Sequence, residues 1–273
     1  MKDESILLRF FYHHFIGRII LRIVYSPLFS KLIGFLLNQK ISTIAIKGFI
    51  QKHQIEMKRF EKKKYTSFNQ FFTRKLNRKG VVPDKNSFIS PCDGKLSVYE
   101  INDTSTFQIK NARYCIKQLL EKEEHRFNGG LCLIFRLEAR DYHRYCYIDD
   151  GRKNKNTFIK GKLHTVQQIA TDKHKVYHTN AREWTELNTN HFGTIIQVEV
   201  GALLVGKIKN YHENYQYQKG EEKGRFEFGG STIILLIEKN RVNIVDEIID
   251  LINTNTETNV SIGETIGVKC NHK

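Results

Sequence analysis

The chain has 273 residues, of which 44 are Lys or Arg and 29 are Asp or Glu, giving a formal charge of +15. Hydrophobic residues make up 40% and aromatics 11%, which excludes a mainly disordered chain, and only three prolines exclude collagen-like and Pro-rich linker classes. The length suffices for one large domain or two small ones with a real core, and the cationic excess calls for a polyanionic neighbour, nucleic acid or an anionic membrane.

Residues 6–37 are the most apolar part of the chain, but Arg9, Arg18, Arg22 and Lys31 interrupt the run and Pro27 divides it. A spanning helix needs roughly 20 predominantly apolar residues. This mixture fits one or two interfacial amphipathic helices whose cationic side chains reach lipid headgroups, with core-packing helices as the bland alternative. The stretch lacks a small-residue cleavage site, so no signal peptide is expected. Lys47 to Lys64 follows with a helical pattern and a strongly basic face. Ser67 then offers an N-cap for a helix with an aromatic face through Phe68, Phe71 and Phe72.

From about residue 88 the pattern changes. Runs rich in β-branched and aromatic residues (KLSVYEI, LCLIFRL, TIIQVEVGALLVGKI, STIILLIE) recur between glycine-marked turns without βαβ alternation. The expected fold is therefore α+β, with N-terminal amphipathic helices and then a β-rich core of sandwich or barrel type. Five cysteines (Cys92, Cys115, Cys132, Cys146, Cys270) are scattered and odd in number, with no CxxC pair. That argues against a disulfide scaffold or zinc ribbon and for a reducing compartment.

Three short stretches carry candidate chemistry: SPCDGK around Asp93, DYHRYC from Asp141 to Cys146, and FEFGGST from Phe226 to Thr232. Singly each has a structural reading: a turn at Asp93-Gly94, a hydrogen-bonded histidine at 143, a flexible entry into a strand at Gly229-Gly230. Together, and with SFNQFFTRKLNR, FQIKNARYCIKQLL and KGEEKGRFEFGGSTIILL in order along nearly the whole chain, they resemble the phosphatidylserine decarboxylase family. The last block is close to that family's self-cleavage motif, in which a Gly-Ser-Thr core follows KGxExGxFxFG.

The resemblance implies a proenzyme that cuts itself at Gly230–Ser231. The Ser231 hydroxyl would attack the Gly230 carbonyl in an N-to-O acyl shift, and β-elimination would then leave residue 231 as a covalent pyruvoyl cofactor. The products would be a large subunit of residues 1–230 and a small subunit of residues 231–273. The substrate amine would condense with the pyruvoyl ketone, which acts as an electron sink for decarboxylation of phosphatidylserine to phosphatidylethanolamine. Carried over residue by residue, the resemblance makes Asp93, His143 and Ser231 the catalytic set, with His143 suited to proton transfer by its near-neutral titration. One departure stands out: where the family generally has a second histidine, the one that pairs with the Asp, this chain has Cys146. Three bases for self-cleavage are therefore open: Cys146 as thiolate, His143 in both roles, or another histidine such as His178 or His191.

The implied partners are phosphatidylserine in an anionic membrane and the self-derived subunits, in what is commonly a homodimer. The expected location is peripheral, on the cytoplasmic face of the cell membrane. The division expected is a helical membrane-associating region, 1–66, and a β-rich catalytic domain, 67–273. Competing classes are weaker. His143 with Cys146, and His174 with His178, have ligand-like spacings, but no HExxH or CxxC accompanies them and no metal is expected. The basic run KRFEKKKY has no nucleic-acid fingerprint beside it, and no nucleic-acid partner is expected. A pyruvoyl-dependent decarboxylase of another serine-like substrate, or an uncleaved relative, is the alternative function.

Overall fold

The computed structural model describes residues 27–77, 84–109, 112–164, 175–202, 207–228 and 231–270. Most of the apolar N-terminal run, Gly229, Gly230 and His174 lie outside the described residues. The first described elements are helical: α1 (Pro27–Leu37), a 3-10 turn (Lys40–Thr43), α2 (Ile44–His53) and α3 (Phe68–Phe72). Then come β1 (Ser87–Ile89), β2 (Gly94–Glu100), the hairpin β3 (Thr106–Ile109) and β4 (Ala112–Cys115), α4 (Ile116–Leu120) and β5 (Leu131–Leu137). The middle of the chain holds β6 (Arg144–Cys146), β7 (Gly151–Lys153), β8 (Thr157–Ile159), α5 (Val176–Thr179), β9 (Arg182–Thr189) and β10 (Thr194–Gly201). It closes with β11 (Ile208–Asn210), β12 (Tyr215–Tyr217), β13 (Glu222–Phe226), β14 (Ser231–Ile237), β15 (Val242–Ile244), α6 (Asp246–Ile249), β16 (Thr258–Val260) and β17 (Thr265–Lys269).

A nine-stranded sheet organises the molecule in the order β12-β7-β9-β10-β14-β5-β2-β16, with β8 also paired to β9. Every strand pair in it is antiparallel. The sheet is open. It ends on two three-residue strands, β12 and β16, that do not pair with each other, so the barrel alternative is not realised. Short edge strands are one way a sheet limits the exposed hydrogen-bonding row that closure would otherwise remove.

The central strand β14 is buried at all seven positions, and its two faces serve different cores. Ile233, Leu235 and Ile237 join Leu133, Phe135 and Leu137 of β5 in one core, which the small sheets β1-β17-β15 and β11-β13-β6 cover. Ile234 and Leu236 point the other way, with Ile134, Ile196 and Val198, against α4 and Tyr177 of α5. Coverage on both faces explains why STIILLI reads as a continuous apolar run rather than an alternation. Each of these aliphatic side chains contributes roughly 1.5–3 kcal/mol by leaving water, so this strand is a principal stabilising element.

A third core ties the helices to the rest. Phe68, Phe71 and Phe72 of α3 are buried with Phe60 and Tyr142, and Phe49 and Ile50 of α2 and Phe228 pack against them. Ser67 caps α3, accepting a hydrogen bond from Gln70 N at 3.1 Å. The basic segment differs from expectation. The helix does not run from Lys47 to Lys64; α2 stops at His53, where Gln54 turns left-handed (φ 51°), and Phe60 pairs as a bridge with Leu76. Three consecutive lysines at 62–64 repel one another, and burying the Phe60 ring against α3 outweighs continuing the helix. Among the described residues no helix is long and apolar enough to cross a membrane.

Candidate active site

Ser231 opens β14, opposite Gly201 at the end of β10 and Leu137 at the end of β5. Next along, Lys95 of β2 pairs with Arg136 of β5, which sets Asp93 and Gly94 beside Leu137. Four adjacent strands thus end in one row, with Asp93 two strands from Ser231, roughly 10 Å at the usual strand spacing. Gly94 is required there. Its φ is 152°, and a Cβ would stand 3.0 Å from the Arg136 carbonyl oxygen.

Side chains alternate along a strand, so Ser231 shares one face of β14 with Ile233, Leu235 and Ile237. That is the face covered by the small sheet holding β6 and β13. Ser231 is fully buried, and its Oγ has no hydrogen-bond partner among the described residues. A buried hydroxyl left without a partner is costly, and the neighbouring Thr232 Oγ1 is in the same state among the described residues.

The chain leaving β5 folds back over that end of the sheet and carries the histidine. Asp141 Oδ2 accepts from Glu138 N at 2.6 Å, closing the turn, and the Asp141 carbonyl faces the His143 Nδ1 at 2.9 Å. A carbonyl only accepts, so Nδ1 carries the proton and, in the neutral ring, Nε2 is the basic nitrogen. The imidazole is fully buried and lies 4.0 Å, centroid to centroid, from Phe72, which in turn meets Phe228 at 5.0 Å. His143 is therefore packed against the segment that leads into Gly229-Gly230-Ser231.

Position 146 sits elsewhere. Cys146 N donates to the Pro91 carbonyl at 2.9 Å, so this residue lies beside the loop that carries Asp93. Its thiol is buried, 4.0 Å from the Ser90 carbonyl oxygen. Asp93 is itself buried, with Oδ1 accepting from Ile262 N at 2.8 Å and Oδ2 from Arg59 at 3.3 Å. Burial, with Asp93 a further contributor, pushes the neighbouring Asp141 carboxyl up to about 6, and burial pushes the Cys92 thiol well above its usual range.

The two other histidines do not enter. His191 is held by Asp149, Nδ1 to Oδ1 at 2.9 Å, in the turn between β9 and β10 at the opposite end of the sheet from Ser231. His178 accepts from Cys115 N at 3.3 Å and packs against Tyr114, and burial pushes its ring down to about 4. Among the described residues no three His, Cys, Asp or Glu side chains cluster as a metal site would need.

Sequence reasoning missed the residues around this set. Arg59 belongs to the strongly basic run 47–64, in which nothing singles it out, yet it reaches Asp93. Arg74, in the TRKL stretch, is buried and donates to the carbonyls of Arg140 and Asp141 at 3.0 and 3.4 Å. The Asp141 carbonyl is thus shared by Arg74 and His143. An arginine directly after an aromatic helix is the available signal, but its partners lie 66 and 67 residues away in sequence.

Residues 68–268 match the family model for phosphatidylserine decarboxylase. The chain is 46% identical over 265 residues to a protein of Clostridium acetobutylicum named phosphatidylserine decarboxylase proenzyme 2, a match covering 95% of this chain and 91% of that one. It is 41% identical over 250 residues to the phosphatidylserine decarboxylase proenzyme of Clostridium tetani, covering 88% and 84%. With the proenzyme of that name from Desulfitobacterium hafniense the identity is 37% over 273 residues, covering 96% and 92%. The chain belongs to the phosphatidylserine decarboxylase family, and the class of enzyme this defines is a carboxy-lyase.

Proposed function

We propose that this chain decarboxylates phosphatidylserine to phosphatidylethanolamine after cutting itself between Gly230 and Ser231. The observation that carries the proposal is the buried Ser231 hydroxyl, without a hydrogen-bond partner among the described residues, at the head of a central strand and inside the family's self-cleavage motif. A serine that must attack its own preceding carbonyl needs an oxygen not committed to another bond, and Ser231 fits. It also fits a covalent pyruvoyl group at position 231, because that group would arise in a site already closed to water. The pyruvoyl ketone supplies the electron sink for loss of carbon dioxide.

The remaining work falls to this chain's side chains. We assign proton movement to His143, whose Nδ1 is tied to the Asp141 carbonyl so that Nε2 is the nitrogen able to take or give a proton. Phe72 holds the ring plane and keeps water from it. Asp93 supplies the buried carboxylate two strands away, a charge that favours a protonated base. Cys146, beside the Asp93 loop, is the other candidate for the self-cleavage base.

Intact-mass measurement of the purified protein tests this directly. Two chains meeting at Gly230–Ser231, the smaller one blocked at its N-terminus, are expected from the wild type and from Cys146→Ala. One uncut chain is expected from Ser231→Ala and His143→Ala. An uncut Cys146→Ala protein with a cut His143→Ala protein would transfer the base role to Cys146, and an uncut wild type would remove the proposal.

A membrane-bound substrate also requires a docking surface. Along α1, the following turn and the start of α2, Leu32, Phe35, Leu36, Ile41 and Ile44 are all exposed, and the basic residues Lys58, Lys62 and Lys64 follow in the sequence. We propose that this surface, together with the apolar N-terminal run, seats the enzyme peripherally on the anionic cytoplasmic leaflet. Each Lys or Arg near such a surface adds about 1 kcal/mol. Flotation with phosphatidylserine vesicles should carry the protein upward, and a Leu32→Ser/Phe35→Ser variant should float less.

A further inference from the structure

Two small clefts open beside the Asp141–His143 turn, and they share Lys75 and Arg144 in their walls. The inner one, about 140 Å³, reaches Cys146 and Ile262. The outer one, about 70 Å³, is lined by Lys63, Arg74, Lys75 and Arg144 against one carboxylate, Glu61. Both are large enough to hold several waters.

The charges of the outer cleft are unequal in commitment. Arg144 is spent, donating twice to the Thr73 carbonyl at 2.7 and 2.8 Å and once to Glu222. Arg74 is not. It is 2% exposed, sits 4.2 Å over the Phe60 ring, and makes no ion pair among the described residues. Its Nε and Nη1 have no hydrogen-bond partner among those residues. Lys63 and Lys75, both exposed, likewise make no ion pair among the described residues, so their ammonium groups can swing onto an anion. Tyr65, also in the wall, keeps its hydroxyl proton because burial raises it, and a hydroxyl donates to oxyanions. Asp93 and Asp141 act on this guanidinium only from beyond ion-pair distance, and an anion in this cleft would offset more of the cost of burying it.

We infer that the outer cleft is the subsite for the phosphodiester of the lipid headgroup, with Lys63 and Lys75 as its contacts and Arg74 as the buried charge behind them. The choice of ligand rests on the decarboxylase proposal; the anion site itself does not. Spacing supports the assignment. In a phosphoserine headgroup only an oxygen and a methylene separate the phosphorus from the α carbon that must receive a proton. In the protein Arg74 Nη2 and His143 Nδ1 meet on the one Asp141 carbonyl, at 3.4 and 2.9 Å, so the guanidinium and the imidazole are neighbours, with Nε2 at the far side of the ring. The subsite would let the enzyme reject free serine, which has no phosphate to fill it.

The test uses the full chain with Lys63→Gln/Lys75→Gln, which changes two exposed side chains, and separately Arg74→Lys. Calorimetry on the uncut Ser231→Ala background, with inorganic phosphate and with glycerophosphoserine as probes, reads binding without turnover. Glycerophosphoserine should bind, and the double lysine variant should weaken it by about five- to tenfold, the range for a pair of partly solvated charge-assisted contacts. In the maturing protein the same variant should raise KM for glycerophosphoserine by a similar factor while kcat and self-cleavage are unchanged. Unchanged binding of glycerophosphoserine in the variant, or no binding by either protein, overturns the subsite. A loss seen only on phosphatidylserine vesicles, with the soluble headgroup unaffected, overturns it too and assigns the lysines to the membrane surface. Binding of inorganic phosphate without turnover of any serine compound would leave the anion site standing and remove the decarboxylase proposal instead.

Discussion

Lys223 of β13 and Glu199 of β10 form an ion pair at 2.7 Å in which neither side chain is exposed. Both charges have further hydrogen-bond partners. Glu199 also accepts from Gln197 at 2.9 Å and Asn210 at 3.2 Å, and Lys223 also donates to Asn210 at 2.8 Å. Replacing Lys223 with Met keeps the stem but strands a buried carboxylate, for which the expected loss is about 3–5 kcal/mol. Against a total stability of roughly 5–15 kcal/mol for a folded domain, that is a third or more of the whole. Removing both charges with Lys223→Met/Glu199→Gln should recover most of it, giving a coupling of at least about 2 kcal/mol. Urea unfolding on the Ser231→Ala background is the assay, because an uncut chain removes dissociation of the two cleavage products from the transition. Glu199 lies two residues before Gly201, the partner of Ser231, so Lys223→Met should also slow self-cleavage in the maturing protein. A loss below about 1 kcal/mol for Lys223→Met, with additive behaviour in the double variant, would refute the reasoning.

Three further outcomes follow from particular contacts. Burial pushes the Asp141 carboxyl from 3.8 up to about 6, so the native state holds the proton over that interval and stability falls as pH rises through it. Asp141→Asn keeps an acceptor for Glu138 N and should match the parent at pH 4 yet be roughly 1–3 kcal/mol more stable at pH 7; equal urea midpoints at both pH values would disprove this. His178 runs the opposite way: with its ring pushed from 6.5 to about 4, the unfolded chain takes the proton first, so acid destabilises the fold between those values. That acid limb should be missing in His178→Gln when unfolding is followed from pH 7 to pH 4. Gly224→Ala should cost about 1–3 kcal/mol and impair self-cleavage, since the new Cβ would fall 2.4 Å from the Lys209 carbonyl oxygen, a backbone atom that cannot rotate away; full maturation by intact mass would count against it.

The β-branched and aromatic content of KLSVYEI, LCLIFRL and STIILLIE places β2, β5 and β14 within a residue, because these strands are long and their burial dominates local choice. The cap at Ser67 and the aromatic face of α3 are legible for the same reason: the signals are local. Asp93, His143 and Ser231 emerge from ordered motifs, not from any physical property of each residue alone. The strand register decides what those motifs do not, setting Asp93 and Ser231 in one row of strand ends and His191 at the far end. Nor does the sequence separate Arg59 and Arg74 from the other cations. Arg59 finds a carboxylate 34 residues on, in the loop before β2, and Arg74 a carbonyl 66 residues on, in the chain that leaves β5, contacts that exist only in the folded chain. Local composition determines which segments become strands and helices. The pairing of distant segments, driven by burying both faces of one open sheet, decides which charged side chains meet.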